Sequence, residues 1–186
     1  MYKHCTTEKA ALQQRRIEEG LLSAMREKPY SEITVSSLCE LTDLSRKTFY
    51  RLFESKQDVL FSLVDRIIRG YIYFRLPQQA QSGETTTELL SFYYYWLEQR
   101  QLLTALSENN LVGVLFDRSI RHVLFEDSDM AVLLGAGQSR ETEPLIFYLS
   151  GLLTLVMSWH GGGYRKTPEE MAAVTTKLLS KPLLSP

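Results

Sequence analysis

The chain has 186 residues, 44% of them hydrophobic and 23% charged, with a formal net charge of −1. That composition suits one sizeable globular domain or two small ones. Two cysteines, Cys5 and Cys39, are too few for a disulfide framework. The N-terminal MYKHCTTEKAALQQ lacks the apolar centre of a signal peptide, and no stretch reaches the roughly 18–20 apolar residues of a membrane span. A cytoplasmic protein with no membrane partner is expected.

Charge is unevenly spread. Met1 to Lys56 carries ten Lys/Arg against eight Asp/Glu, whereas Gln57 to Pro186 carries eleven against fourteen. The first third is therefore mildly basic, and where its bases sit matters more than their number.

The pattern predicts an all-α chain, because apolar residues recur at helical spacing and nowhere alternate convincingly. Ile17, Leu21 and Met25 mark a first helix over about Lys9–Lys28, with Pro29 as its stop. Thr34 caps a short second helix from Val35, with Leu38 and Leu41 on its inner face. Ser45 caps a third, about Arg46–Phe53. Ser55-x-x-Asp58 is a capping-box variant opening a fourth, which runs to about Pro77. QQAQSGETT, from Gln78 to Thr86, reads as a loop. One long helix is expected over about Thr87–Leu106, punctuation at Asn109 and Asn110, and another helix over Leu111–Phe125. EDSDMAVLLGAGQSRE is mixed and glycine-bearing. Glu143–Trp159 is apolar nearly all round, which implies burial on more than one side. Thr167-Pro168-Glu169-Glu170 combines a cap, a proline at the first helical position and a glutamate three after the cap, so a last helix is expected over Pro168–Ser180.

The segment LSRKTFYRLFESK, Leu44–Lys56, concentrates four bases and three aromatics in thirteen residues. With Val35–Thr42 before it, it has the layout of a helix-turn-helix. At about 100° per residue, Phe49, Leu52 and Phe53 share one side of the third helix. Lys47 and Arg51 point the other way, flanked by Arg46, Thr48 and Tyr50. Such a face suits duplex DNA: Lys and Arg meet phosphates or guanine edges, Thr meets a base or phosphate, and a tyrosine hydroxyl positions the backbone. Lys56, in the first turn of the fourth helix, is poorly placed for the helix dipole until an anion arrives, so a phosphate is expected there. With the caps Thr34 and Ser45, the candidate DNA-binding set is Thr34, Ser45, Arg46, Lys47, Thr48, Tyr50, Arg51 and Lys56.

ITVSSLCELTDLSRKTFYRLFESKQDVL, Ile33–Leu60, resembles the DNA-binding domain of the tetracycline-repressor (TetR) family of bacterial regulators. Ile-Thr-Val before the second helix, Ser-Arg opening the third, Thr-Phe-Tyr and Phe53 within it, and Ser-Lys before the fourth carry the resemblance. Asp43 stands where the family usually has a turn glycine, and Asp tolerates left-handed backbone better than most residues. The resemblance implies a three-helix DNA-binding domain over 1–56, a connecting helix over about 56–77, and a C-terminal helical dimerisation and effector domain over 78–186. It further implies a homodimer on double-stranded DNA with a near-palindromic operator, repression as the default outcome, and control by a small molecule or a protein co-regulator. No catalytic role is expected.

In the C-terminal part, SGLLTLVMSWHGGGYRKTPEEMAAVTTKLL resembles the last two helices of some family members, which pair in a four-helix dimer interface. FYYYW, Phe92–Trp96, is the densest aromatic run. Leu89, Phe92, Tyr93, Trp96 and Leu97 form a core stripe, while Tyr94 and Tyr95 leave it. The candidate effector-binding set is Phe92, Tyr94, Tyr95, Trp96, Phe116 and Phe147, walls suited to an apolar or aromatic ligand. His160-Gly161-Gly162-Gly163 has the composition of an esterase oxyanion loop, a remote hydrolase alternative, but no Gly-x-Ser-x-Gly elbow accompanies it. His4, His122 and His160 are too scattered to predict a metal, and no cofactor is expected.

Overall fold

The computed structural model describes residues 7–79, 85–122 and 142–180. All regular elements among them are helices: α1 Glu8–Glu27, α2 Val35–Thr42, α3 Arg46–Leu52, α4 Lys56–Gln79, α5 Thr85–Glu98, α6 Arg100–Glu108, α7 Val112–Arg121, α8 Glu143–Gly161 and α9 Pro168–Ser180, with one 3₁₀ turn at Tyr30–Glu32. The segment 126–141, the end of the predicted helix at 123–125 and the centre of the predicted loop at 80–84 lie outside the described residues.

The described residues fall into two compact units. The first holds those up to Ile68 together with Thr104–Arg118; the second holds Arg69–Leu103 and those from Ser119 onward. The first unit thus takes in a stretch that the sequence assigns to the C-terminal part.

In the first unit, α1 buries Ile17, Leu21 and Met25, the predicted stripe, and Thr7 caps it by accepting from the Ala10 N–H. α2 buries Leu38, Cys39 and Thr42, whereas Leu41, expected on the inner face, is 55% exposed. The reason is a close approach. Gly20 of α1 sits so near Thr42 that a Cβ on it would come within 2.4 Å of the Thr42 methyl. That contact turns α2 to present the Leu38–Thr42 side and rotates Leu41 outward. α3 buries Phe49 and Leu52, and Phe53 closes it, also buried. Val59, Leu60, Leu63, Val64, Ile67 and Ile68 of α4 complete this core. Two buried carboxylates are paired within it. Glu18 accepts from Ser62, Gln14 and, at 2.5 Å, the Arg66 Nε. Asp65 takes a two-pronged contact from Arg118 of α7, at 2.7 and 2.6 Å. Pairing of this kind is what makes a buried charge tolerable.

In the second unit, α5 packs along α9. The buried Tyr93 hydroxyl shares a 2.6 Å hydrogen bond with Thr175, and the Tyr93 ring meets Trp159 of α8 edge-on at 5.6 Å. The expected single helix over Thr87–Leu106 is two helices, α5 and α6, divided by a turn at Gln99. The Gln99 N–H is shared between the Tyr95 and Trp96 carbonyls, and its own carbonyl serves both Leu102 and Leu103. No glycine or proline marks this bend.

Asn110 ends α6 in left-handed backbone, φ 56°, and the Leu111 N–H closes back on the Leu106 carbonyl. Thr167 and Glu170 form the predicted reciprocal cap of α9. α8, at 19 residues, is long and apolar enough by length and composition to cross a membrane. Its Leu149, Leu152, Leu153, Val156 and Trp159 are buried. The His-Gly-Gly-Gly stretch ends α8: Gly162 caps it, Gly163 takes φ 69°, and His160 Nδ1 lies 2.8 Å from the Tyr164 hydroxyl. The strand that an esterase elbow requires is absent among the described residues.

Candidate nucleic-acid interface

The reading head is assembled by local hydrogen bonds that the sequence dictates. Thr34 and Ser37 form a reciprocal capping box at the start of α2: the Ser37 N–H donates to Thr34 Oγ1, and the Thr34 N–H to Ser37 Oγ. At its end Asp43 adopts φ 50°, ψ 46°, and the Leu44 N–H reaches the Cys39 carbonyl at 3.0 Å. This left-handed residue makes the turn. Ser45 then opens α3 by accepting from the Thr48 N–H at 3.1 Å, and the two hydroxyls touch at 3.0 Å.

With Phe49, Leu52 and Phe53 buried, α3 has one orientation available. It leaves Arg46, Lys47, Tyr50 and Arg51 exposed and Thr48 half-buried. The sides are those the helical projection assigns, except that Thr48, placed on the outer face, is half-buried. The neighbouring Tyr50 hydroxyl pushes the pKa of the Arg46 guanidinium up further. The Tyr50 ring stands edge-on against Phe49 at 5.4 Å. Arg51 donates to Gln13 of α1 at 2.6 Å. The first turn of α3 carries two cations and no acid, an arrangement that works against the helix dipole until an anion arrives. Beside the turn lies an open concavity of about 490 Å³ bordered by Ser36, Cys39, Glu40, Asp43, Ser45 and Arg46. Burial pushes the Cys39 thiol up and nearby Arg46 pulls it down, with burial prevailing.

Lys56 has partners the sequence did not suggest. Its ammonium donates to the Tyr30, Ser31 and Ile33 carbonyls at 2.6, 3.2 and 2.7 Å and lies 4.5 Å from the centre of the Tyr30 ring. An ammonium has three donors, and all three are spent inside the protein. Burial lowers its pKa. Asn109, at the end of α6, accepts from the Tyr30 N–H at 2.5 Å and donates to the Ala105 carbonyl. The connection between α1 and α2 is therefore held by Lys56 and by Asn109.

The candidate effector residues are dispersed. Phe92 and Trp96 are buried, at 4% and 3% exposure, and meet edge-on at 6.2 Å. Tyr95 lies against Tyr71 and Trp96, its hydroxyl 2.7 Å from where a Cβ on Gly70 would stand. Tyr94 is 46% exposed and its hydroxyl donates to the Glu169 carboxylate. Phe147 is 78% exposed. Phe116 is half-buried in the first unit, while the others belong to the second. The buried Trp96 Nε1 has no hydrogen-bond partner.

No protein-family model and no curated protein matches the sequence. Among solved structures, the chain is similar to the fatty acid degradation regulator FadR from Bacillus halodurans, at 16% identity over 92% of this chain and 96% of that one, with a TM-score of 0.64. It is also similar to the TetR family repressor AlkX from Dietzia sp. strain DQ12-45-1b, at 15% identity over 90% and 92% of the two chains, with a TM-score of 0.49. With its helix order, its capped helix-turn-helix and its match to FadR along nearly the whole length of both chains, this protein has the TetR-like fold.

Proposed function

We propose that the chain is a TetR-like transcriptional regulator, a repressor by default, whose α3 reads the major groove. The carrying observation is the face of α3: Arg46, Lys47, Tyr50 and Arg51 exposed over a buried Phe49, Leu52 and Phe53. A groove-reading helix needs that combination of a fixed base and a cationic, hydrogen-bonding surface. Lys47 and Arg51 are assigned to base edges or phosphates, Arg46 and Tyr50 to phosphates, and Thr34, Ser45 and Thr48 to the helix starts that approach the backbone. FadR, the regulator of similar fold, supports the class and not the operator.

Two copies are proposed to act together on a near-palindromic site. The motive is apolar surface on α8 and α9, where Phe147, Val174, Leu178 and Leu179 are exposed in the single chain. A small apolar or aromatic effector would bind beside α5. A second reading, a protein co-regulator, is favoured by the packing of Phe92, Tyr93 and Trp96, whose rings are spent on one another and on the core.

The experiment is selection of duplexes from a random pool by the full chain, with sedimentation on the same material. A two-fold-symmetric enriched site and a species near twice the 21.4 kDa chain mass are expected. Binding to that site should be lost in a folded Lys47→Ala/Arg51→Ala variant. Unchanged affinity in that variant sinks the reading-helix assignment, and a well-folded monomer sinks the dimer.

A further inference from the structure

We propose that Gln13, on α1 and outside the helix-turn-helix, is a positioning residue that sets how Arg51 reads DNA sequence. The inference rests on the DNA-reading assignment above and adds a determinant to it. Arg51 lies in the last turn of α3 and is exposed, so nothing on its own helix restrains its long side chain. The Gln13 Oε1 takes one guanidinium N–H at 2.6 Å. Four of the five guanidinium donors remain for a base or a phosphate.

Gln13 can hold this place because α1 cannot rotate. Its neighbour Gln14 donates to Ser62 of α4, and Glu18, one turn on, accepts from Ser62 and Arg66 of the same helix. Ile17 and Leu21 are buried one and two turns further on, and Gly20 is seated on Thr42. A residue about 100° round the helix from Gln14 is thereby aimed at the end of α3.

The chemistry of the acceptor matters. A carboxylate here would hold the guanidinium equally well, but it would neutralise Arg51 and repel the phosphates of an approaching duplex. A neutral amide fixes the side chain and leaves its charge intact. Fixing a rotamer-rich side chain before binding is worth about two- to tenfold in affinity. If Arg51 meets a base, that gain falls on the specific site and not on random sequence, so Gln13 contributes to discrimination without having to touch a base.

The test measures binding of the full chain to the duplex it selects and to a scrambled duplex, for wild type, Gln13→Ala, Gln13→Glu, Arg51→Ala and the Gln13→Ala/Arg51→Ala double variant. Thermal melts establish that each is folded. Gln13→Ala should lower the ratio of selected to scrambled affinity about two- to tenfold, with the salt slope unchanged. It should have no further effect once Arg51 is alanine. Gln13→Glu should keep the ratio while weakening binding to both duplexes. Equal losses on both duplexes for Gln13→Ala, or an undiminished effect in the Arg51→Ala background, would overturn the proposal while leaving the DNA-reading assignment standing. If the wild type selects no sequence at all, that assignment falls and Gln13 with it.

Discussion

Replacing Lys56 by methionine keeps the aliphatic stem and removes the ammonium. The part-buried Ile33 carbonyl loses its 2.7 Å donor, the Tyr30 carbonyl loses one at 2.6 Å but keeps the Ile33 N–H at 3.2 Å, and the more exposed Ser31 carbonyl turns to water. The Ile33 carbonyl left unsatisfied costs about 1 kcal/mol, and loss of the cation from the Tyr30 ring costs about 0.5–1 kcal/mol more. Part of this is offset because the charge no longer pays for its own burial, the same burial that lowers the Lys56 pKa. A net loss of about 1 kcal/mol follows, a shift of about 0.5 M in the urea midpoint for a chain this size. Two measurements on one preparation decide the matter. Urea unfolding followed by circular dichroism should show the shift, and the salt dependence of DNA binding should keep its wild-type slope as long as the ammonium stays on its three carbonyls when DNA is bound. Wild-type stability with a slope shallower by about one would refute the argument, because that is the signature of a released phosphate contact.

Three further outcomes are expected. Gly20→Ala places a Cβ 2.4 Å from the Thr42 methyl, whose hydroxyl is bonded to the Leu38 carbonyl and cannot swing freely; it should cost about 1–3 kcal/mol in urea unfolding, and Thr42→Ser, which deletes that methyl, should restore most of the loss, with simple additivity counting against the contact. Asp43→Val forces a β-branched residue to φ 50° in the turn and should cost about 1–2 kcal/mol, whereas Asp43→Gly should be tolerated; equal midpoints for the two variants would deny that backbone conformation is what limits this position. Burial, and secondarily the Asp58 carboxylate, push the Tyr30 hydroxyl from 10.0 to about 12, so the neutral phenol's contribution to stability is intact below pH 10 and is lost as pH rises from 10 towards 12. Because that hydroxyl is buried without a partner, Tyr30→Phe should leave neutral stability unchanged or higher and make the alkaline decline shallower, and an identical alkaline decline would contradict this.

What the sequence made legible was local. Thr34, Ser45 and the Thr167–Glu170 box were readable because a cap and its partner lie three residues apart, and the burial of Phe49, Leu52 and Phe53 followed from helical spacing alone. Leu41 was misplaced because the inner side of α2 is chosen by the Gly20–Thr42 approach, which no periodicity of α2 contains. The turn at Gln99 has no breaker residue to announce it. Lys56, Gln13 and Asn109 are harder still: their partners lie up to 26, 38 and 79 residues away, so no window on the chain holds both ends of the bond. A lysine that meets a phosphate and a lysine that ties down a loop look the same in a sequence, each a cation beside a helix start. Periodicity says which side chains reach the surface. Whether a surface cation still has hydrogen-bond donors to give is fixed by which carbonyls the tertiary fold brings to it, and at Lys56 the α1–α2 connection brings three.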